Sequence, residues 1–475
     1  MPRCYAISSI SPLLAVGFWV AFSTFTNAQT ALEKQLLSEN AALHANVAQL
    51  RVELAAKNTC SAASPITDPL APTLLRKLSV VSNALTVARY NSGRRDVILP
   101  DSLLQAEVPA QYILVLNDDD ATLDDAASIA AAYGLPVSAI RYVYSRVLTG
   151  FAANMSEADR TRLEADPRVS RVVRDGYIFA TQSGASSIDP VHQTVVPTAT
   201  APLVDPVDVY VFDSGIRAAH IALQGRVGSG FTSFRNGIGT EDCNGHGTHI
   251  AATIGGRVYG QTDQARLISV KVLDNANYGD VSTLIAGVEW VLEQPSQHRL
   301  VNMSLTRKEL APPAESLLDL AVMALIDDGV PVIVAAGNSR SNARHYSPAR
   351  VPGAITVGAL DGEKIAATSN SGTVIDLYTQ GENILSAAIG DTCGQVTMSG
   401  TSMAAARVAG RASRLMADGV APNDIDAALK ASAQRVETGN FTGETARLVL
   451  DTGGAGEQVN PLCPRIAAPL VPPTK

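Results

Sequence analysis

Between residues 207 and 417, short and largely apolar runs alternate with longer stretches of helical character. The runs at 207–212, 267–272, 300–303, 330–335 and 354–357 are rich in Val, Ile, Leu, Phe and Ala. Helical stretches intervene at 246–254, 282–292 and 315–327, and another follows at 402–417. Apolar strands separated by helices predict an α/β unit, a parallel sheet with helices on both faces. Sites in such sheets lie at the carboxyl ends of strands, where Asp213, Ser304 and Asn338 fall.

A different pattern precedes it. Residues 112–116 read as a strand, 124–133 as a helix and 140–148 as a strand followed by Gly150-Phe151-Ala152-Ala153. A helix at 156–165 opens on Ser156 with acids in its first turn, and a last strand covers 169–173. This order predicts a small α+β, split-βαβ (ferredoxin-like) domain over 110–180. At the N-terminus a lone Arg3 precedes the apolar run 7–25 and Thr26-Asn27-Ala28, so 1–28 read as a signal peptide cut after Ala28. Serines and threonines interrupt the run and no positive flank follows, which argues against a stable membrane span.

Leu36, Leu43 and Leu50 recur at heptad spacing, with Asn40, Val47 and Leu54 in the complementary positions. Residues 29–57 therefore read as a coiled-coil helix, an oligomer contact through 31–57, or equally as one amphipathic helix packed on its own chain. Residues 58–109, with prolines and Arg94-Arg95, read as linker or extended pro-segment, and the Gly- and Pro-rich 453–475 as a flexible tail.

Composition adds bounds. At 475 residues, 46% hydrophobic and 17% charged, the chain has room for more than one domain. A net charge of −8 argues against nucleic acid as a partner. Cys4 lies in the signal, leaving Cys60, Cys243, Cys393 and Cys463, and four thiols in a secreted chain allow three full pairings. Loss of the region before the catalytic unit would leave an odd number.

The candidate chemistry centres on Ser399-Gly400-Thr401-Ser402-Met403-Ala404-Ala405-Ala406-Arg407. A serine among small residues at a loop-to-helix junction is open to a substrate, and the helix start aims N–H groups at it. A serine nucleophile needs a base, and the base an orienting acid. His246 lies in Asn244-Gly245-His246-Gly247-Thr248-His249, and Asp213 ends a β-rich run before Ser214-Gly215. A fourth piece, the apolar run into Ala335-Ala336-Gly337-Asn338, delivers an amide side chain.

In the order Asp213, His246, Ser402, these motifs resemble the subtilisin-like serine proteases (subtilases), nearest the proteinase K type. Residues 110–180, with Gly150-Phe151-Ala152 and Asp166-Pro167-Arg168-Val169, resemble the inhibitory propeptide of that family. The resemblance implies a catalytic triad of Asp213, His246 and Ser402, with Asn338 donating to the oxyanion. It implies protein or peptide substrates bound by strand addition along Ser304-Leu305 and Asn277-Tyr278-Gly279, with Ala335-Ala336-Gly337 lining the first pocket. The propeptide is then an intramolecular inhibitor whose segment 175–180 enters the cleft and is cut near Ala180, and 181–452 form the peptidase domain. The expected whole is a secreted serine endopeptidase made as a self-inhibited zymogen. No cofactor is required for the chemistry. Structural calcium has a single candidate ligand, Asp376, against the six to eight oxygens the ion takes.

His249 lies one turn from His246, but no zinc-protease Glu follows and no third ligand is visible, so a packing role is expected. Asn154 and Asn440 head glycosylation sequons, and Asn302 heads one expected to be buried. The chain also departs from the family pattern. Thr306-Arg307 stand where two glycines are usual, Ala406-Arg407 where Pro-His is usual, and no Trp-Gly-Leu precedes Val207. Some proteinase K-type relatives pair a cysteine beside the His motif with one in the substrate-edge loop, which here reads Asp274-Asn275-Ala276-Asn277. Thr306-Arg307 and Ala406-Arg407 motivate one rival reading, a catalytically weak or silent relative acting as a peptide-binding or regulatory protein, and the 31–57 pattern alone motivates another, a coiled-coil scaffold bearing a protease-like domain.

Overall fold

The computed structural model describes residues 98–99, 101–117, 126–181, 185–186, 205–390, 392–436 and 447–449. The expected signal peptide, the 29–57 helix, the 453–475 tail, Cys60, Cys463 and the Asn440 sequon lie outside the described residues. Among the described residues no helix is long and apolar enough to cross a membrane.

The N-terminal unit opens on a short helix α1 (Asp101–Leu104), followed by β1 (Glu107–Leu116), α2 (Ala126–Tyr133), β2 (Ile140–Tyr144), β3 (Gly150–Asn154), α3 (Glu157–Glu164) and β4 (Val169–Ala180). Its antiparallel sheet runs β4-β1-β3-β2, with β1 central. Alternation along β1 divides the two faces. Tyr112 and Leu114 pack with Phe151 against Ile129 and Tyr133 of α2 and Leu163 of α3. Ile113 faces the other way with Tyr144 and Ala152, into a cluster shared with the helices of the larger unit. Ser156 caps α3 by accepting from Asp159 N at 3.1 Å.

The larger unit follows β5 (Ala185–Ser186) and contains β6 (Val207–Asp213), β7 (Phe231–Thr232), α4 (His246–Gly255), β8 (Ala265–Lys271), β9 (Tyr278–Asp280) and α5 (Val281–Leu292). Next come β10 (Arg299–Met303), β11 (Leu305–Lys308), α6 (Leu317–Asp327), β12 (Val332–Ala335), β13 (Tyr346–Ser347), β14 (Ile355–Asp361), β15 (Lys364–Ile365) and β16 (Leu377–Gln380). Last among the described residues come β17 (Ile384–Ala387), β18 (Gln395–Met398), α7 (Thr401–Ala417), α8 (Ile425–Ser432), β19 (Gln434–Val436) and β20 (Arg447–Val449).

The central sheet has the order β19-β20-β16-β14-β12-β10-β6-β8-β7, and from β7 to β16 every neighbouring pair is parallel. Every residue of β6 is buried. Val207, Val209 and Val211 face Ile250 and Ile254 of α4 and Ala404, Ala405 and Val408 of α7. Tyr210 and Phe212 face Leu284 and Val288 of α5 and Leu318 and Val322 of α6. The strands read as apolar runs because both sides are covered. The chain leaves β6 for β8 on one side and later reaches β10 on the other, so the order reverses at β6. That reversal opens a crevice at the carboxyl ends of the strands, beside Asp213.

Two close approaches need glycine. A Cβ on Gly247 would fall 2.1 Å from Gly215 O, so only glycine lets α4 sit against the end of β6. Gly337 has φ +98, and a Cβ there would meet Asn370 Nδ2 at 2.4 Å. Cys243 and Cys393 are both disulfide-bonded. Arg217, which pairs with Glu241 at 2.8 Å, also donates to Ile389 O and so ties the segments that precede the two cysteines.

One buried ion pair ties α6 to the loop after β13. The Asp319 carboxylate accepts from Arg350 Nε at 2.7 Å, lies 2.6 Å from Nη2 and also takes the Ser347 hydroxyl. Asp319→Ala strands the guanidinium in the interior and is expected to cost about 3–5 kcal/mol, read as a lowered denaturation midpoint of the full chain. An unchanged midpoint would remove this pair from the account of stability.

Candidate active site

Three elements converge at the crevice. Asp213 is the last residue of β6, His246 the first of α4 and Ser402 the second of α7, and all three are buried. Asp213 Oδ1 accepts from Ser214 N at 2.7 Å, and His246 Nδ1 lies 2.8 and 2.9 Å from Oδ1 and Oδ2. The His246 Nε2 atom is buried and holds no hydrogen bond.

The Ser402 hydroxyl lies 2.6 Å from the carbonyl oxygen of Thr181, 2.6 Å from Thr181 Oγ1 and 3.3 Å from Ser304 O. Two N–H donors converge on that same Thr181 oxygen, Asn338 Nδ2 at 2.7 Å and Ser402 N at 3.3 Å. Asn338 is held in turn, because its Oδ1 accepts from Thr401 N at 3.0 Å and from Thr401 Oγ1 at 2.9 Å. Gly337 N closes the loop on Thr401 Oγ1 at 3.1 Å.

The strand that delivers Thr181 is β4. Its first half pairs with β1, and its second half enters the larger unit and pairs with an edge on each side. On one side Tyr177, Ile178 and Phe179 face Asp280, Gly279 and Tyr278 of β9, and Ala180 N donates to Asn277 O at 3.2 Å. On the other, Ala180 and Phe179 face Leu305 and Thr306 of β11, and Thr181 N donates to Ser304 O at 3.1 Å. Five residues named from sequence for substrate contact thus lie along this strand: Asn277, Tyr278, Gly279, Ser304 and Leu305. Ala335, the last residue of β12, and Ala336 just beyond it are buried, two and one residues before Gly337. In β5, Ala185 and Ser186 pair with Met398 and Thr397 of β18.

Sequence reading missed the group that organises the start of α4. Buried Asp242 accepts from Asn244 N, Gly245 N and Ser214 Oγ through Oδ1, and from Thr248 N and Oγ1 through Oδ2, all at 2.6–3.0 Å. An Asp four residues before His246, ahead of Asn-Gly, is the signal for such a helix-start acceptor. His249 Nε2 lies 2.9 Å from Ile384 O, and burial pushes its imidazole down to about 3, so it packs as a neutral ring. Among the described residues no group of three or more His, Cys, Asp or Glu could hold a metal. Asp376 is engaged by Lys430 Nζ at 2.7 Å and by Thr356 N at 2.9 Å. Arg307 turns toward the N-terminal unit, where it donates to Ala106 O at 2.9 Å and Tyr177 O at 3.2 Å.

Comparison with known proteins now bears on the chain. Residues 206–452, just over half of it, match the Subtilase family. The chain belongs to the subtilase family. Residues 111–179 of this subtilase match Peptidase inhibitor I9. The Extracellular serine proteinase of Thermus sp. (strain Rt41A) is 37% identical over 334 residues, covering 64% of the subtilase and 80% of the relative. Proteinase R of Parengyodontium album is 34% identical over 328 residues, covering 67% and 82%. A solved structure, that of a cold adapted subtilisin-like serine proteinase, is 35% identical with a TM-score of 0.49 and covers 56% of this chain and 96% of its own. The subtilase is a serine endopeptidase carrying an inhibitory propeptide, a zymogen whose family chemistry needs no cofactor.

The propeptide grips the enzyme with carboxylates on both sides. Glu289 of α5 accepts from the amides of Ser145, Arg146 and Val147 at 2.7–3.1 Å. Buried Asp175 accepts from Ser282 N at 3.1 Å and from Gln111 Nε2 at 2.5 Å. Facing it are Arg141 at 3.9 Å, Asp280, and the tyrosines 142 and 144. Burial, and then the charge of Asp280, raise the Asp175 carboxyl to about 7.

A free propeptide has this carboxyl near its ordinary ~4, so docking takes up a proton between about pH 4 and 7. Inhibition is therefore strongest at the acid end, weakens as pH rises through that window, and levels off above it. The inhibition constant of the released propeptide is expected to rise more than about tenfold across the window, and Asp175→Asn to flatten the curve. A wild-type profile that is already flat would refute this.

Proposed function

We propose that this subtilase is exported as a zymogen and cuts its own chain between Thr181 and Gln182, then cleaves other proteins at the same site. In this reading Ser402 is the nucleophile, His246 the general base, Asp213 its orienting acid, and Asn338 Nδ2 with Ser402 N the oxyanion donors. The observation that carries it is the Thr181 carbonyl, whose oxygen has both donors and the Ser402 hydroxyl within 3.3 Å.

The steps follow from those positions. The Ser402 hydroxyl now donates to the Thr181 carbonyl oxygen, while His246 Nε2 has no partner. Rotation about its Cα–Cβ bond turns the hydroxyl proton toward Nε2 and the Oγ lone pair toward the Thr181 carbonyl carbon. As the C–O bond forms, Nε2 takes the proton, and negative charge gathers on an oxygen already between two donors. Asp213 holds the Nδ1 proton and stabilises the imidazolium. The imidazolium returns its proton to the Gln182 nitrogen as the peptide bond breaks, leaving Thr181 esterified to Ser402. A water deprotonated by His246 then releases the Thr181 carboxylate and restores the serine.

Cleavage there places the propeptide boundary at 181/182 and starts the peptidase domain at Gln182. Substrates bind as β4 does, through main-chain pairing on two edges, so the enzyme reads peptide backbone first. The buried Ile178 side chain supports a preference for an apolar residue three positions before the one at the cut. The 1–28 pattern and a relative named extracellular support export. Calcium at Asp376 is disfavoured, because an ammonium and an amide already occupy its oxygens.

Wild-type protein is expected to yield a mature chain whose N-terminal sequence begins Gln182-Ser183-Gly184, while Ser402→Ala stays full length. A wild type that also stays intact would sink self-processing. Asn338→Leu should keep the fold and lower kcat by about 10²–10³ with little change in KM; that factor comes from a subtilisin, a member of the same family, and is not obtained from this geometry. Equal turnover in mutant and wild type would reject the oxyanion role.

A further inference from the structure

Residues 98–99 and 101–106 precede the part of the chain that matches Peptidase inhibitor I9, yet they are built against the cleft strand. Helix α1 lies over the second half of β4. Leu104 is 1% exposed and packs with Phe179 and Tyr346, and Leu99, Leu103, Tyr177 and Tyr278 close around them. The aromatic rings of Tyr177, Phe179 and Tyr278 stand 5.9–6.3 Å apart between centroids, so the strand in the cleft is layered between leucines and tyrosines.

Polar contacts register this layer on β11. Arg307 donates to the carbonyls of Ala106, Tyr177 and Gln105 at 2.9, 3.2 and 3.4 Å, so one guanidinium holds the leading segment and the cleft strand together. Gly176 leaves room for it, because a Cβ there would lie 2.3 Å from Arg307 Nη1. Lys308 Nζ pairs with the Asp101 carboxylate, which also accepts from Tyr346 OH at 3.3 Å. Arg307 and Lys308 are fixed in turn by pairing with Ser347 and Tyr346 of β13.

We propose that Arg307, Lys308 and Tyr346 form an exosite at the non-primed end of the cleft, and that its ligand is an acidic, leucine-bearing helical turn, here Asp101-Ser102-Leu103-Leu104. In the zymogen this turn straps the cleft strand down and keeps the propeptide on the enzyme after the 181–182 bond is cut. The proposal rests on the cleavage reading above for its consequence after processing, and on the contacts alone for its effect before it. A strap that joins the inhibitor domain to the peptidase makes release depend on two contacts instead of one, because either can hold while the other opens.

The test uses the full chain with Leu104→Asp, which puts a carboxylate between Phe179 and Tyr346, and Leu104→Met, which keeps the contact apolar. In the processed protein, the interval between cleavage on a gel and the onset of tetrapeptide hydrolysis is expected to shorten about tenfold or more in Leu104→Asp. Leu104→Met should stay within about twofold of wild type, and Arg307→Ala combined with Leu104→Asp should add little to Leu104→Asp alone. In uncleaved Ser402→Ala protein, amide exchange over 177–181 should quicken about tenfold with Leu104→Asp, whatever becomes of the cleavage reading. Failure of wild-type cleavage would strike that reading, and the exchange result would still decide the strap. Exchange and latency both unchanged by Leu104→Asp would overturn the exosite.

Discussion

Residues 177–181 lie as a strand between β9 and β11, with main-chain hydrogen bonds on both sides, and this insertion positions everything else at the site. Its register places the Thr181 carbonyl against both Asn338 and Ser402. A slip by one residue would present a different carbonyl and turn every side chain to the opposite face. Backbone pairing also explains how a chain can serve as its own first substrate. The donors and acceptors used are those every peptide carries, so the interaction is general and the side chains only bias it.

The site is preorganised by buried polar groups that are satisfied by short-range bonds. Asp242 accepts five hydrogen bonds around the start of α4 and so fixes where His246 stands. Thr401 does the same for Asn338 at the start of α7, through an amide and a hydroxyl. Small residues let these elements approach. Gly247 allows α4 against β6, and the alanines of α7 lie flat on the sheet at the cluster of Val207, Val209 and Val211. Each position is set by packing in a dense interior, which leaves little room for the reacting groups to wander.

Carboxylates carry much of the grip between propeptide and enzyme. Glu289 takes three successive amides of the propeptide, and Asp175 takes an amide in the first turn of α5. These pair with N–H groups that would otherwise lose water without a partner on docking. The aromatic and aliphatic layer over 177–181 adds apolar burial to the same interface. In the proposed reading inhibition and substrate recognition use one surface, and the difference between them is how many contacts outlast the broken bond.

The alternation of apolar runs and helices was legible along the chain, because strands covered on both faces must be apolar throughout. The three residues Asp213, His246 and Ser402, and Asn338 with them, stood out for the same kind of reason: each sits at a strand or helix end with a glycine one or two residues away, where sterics restrict the local sequence. What could not be read was pairing between distant segments. The last strand of the N-terminal unit was expected over 169–173, with 175–180 as a separate segment in the cleft, yet β4 runs unbroken to Ala180 since its edges are supplied by residues near 279 and 305. The short strands β9, β11 and β13 likewise exist only because a partner lies alongside. Residues 98–106 carried no signal beyond that of a linker, and became a strap when Arg307 and Tyr346 met them. Composition and spacing along one chain thus determined which elements form and which side chains are the candidates for chemistry, since both depend on near neighbours. The identity of the carbonyl placed against the serine, the partner of each buried charge and the extent of the inhibitory contact were decided by the tertiary structure, because they depend on groups hundreds of residues apart meeting within about 3 Å.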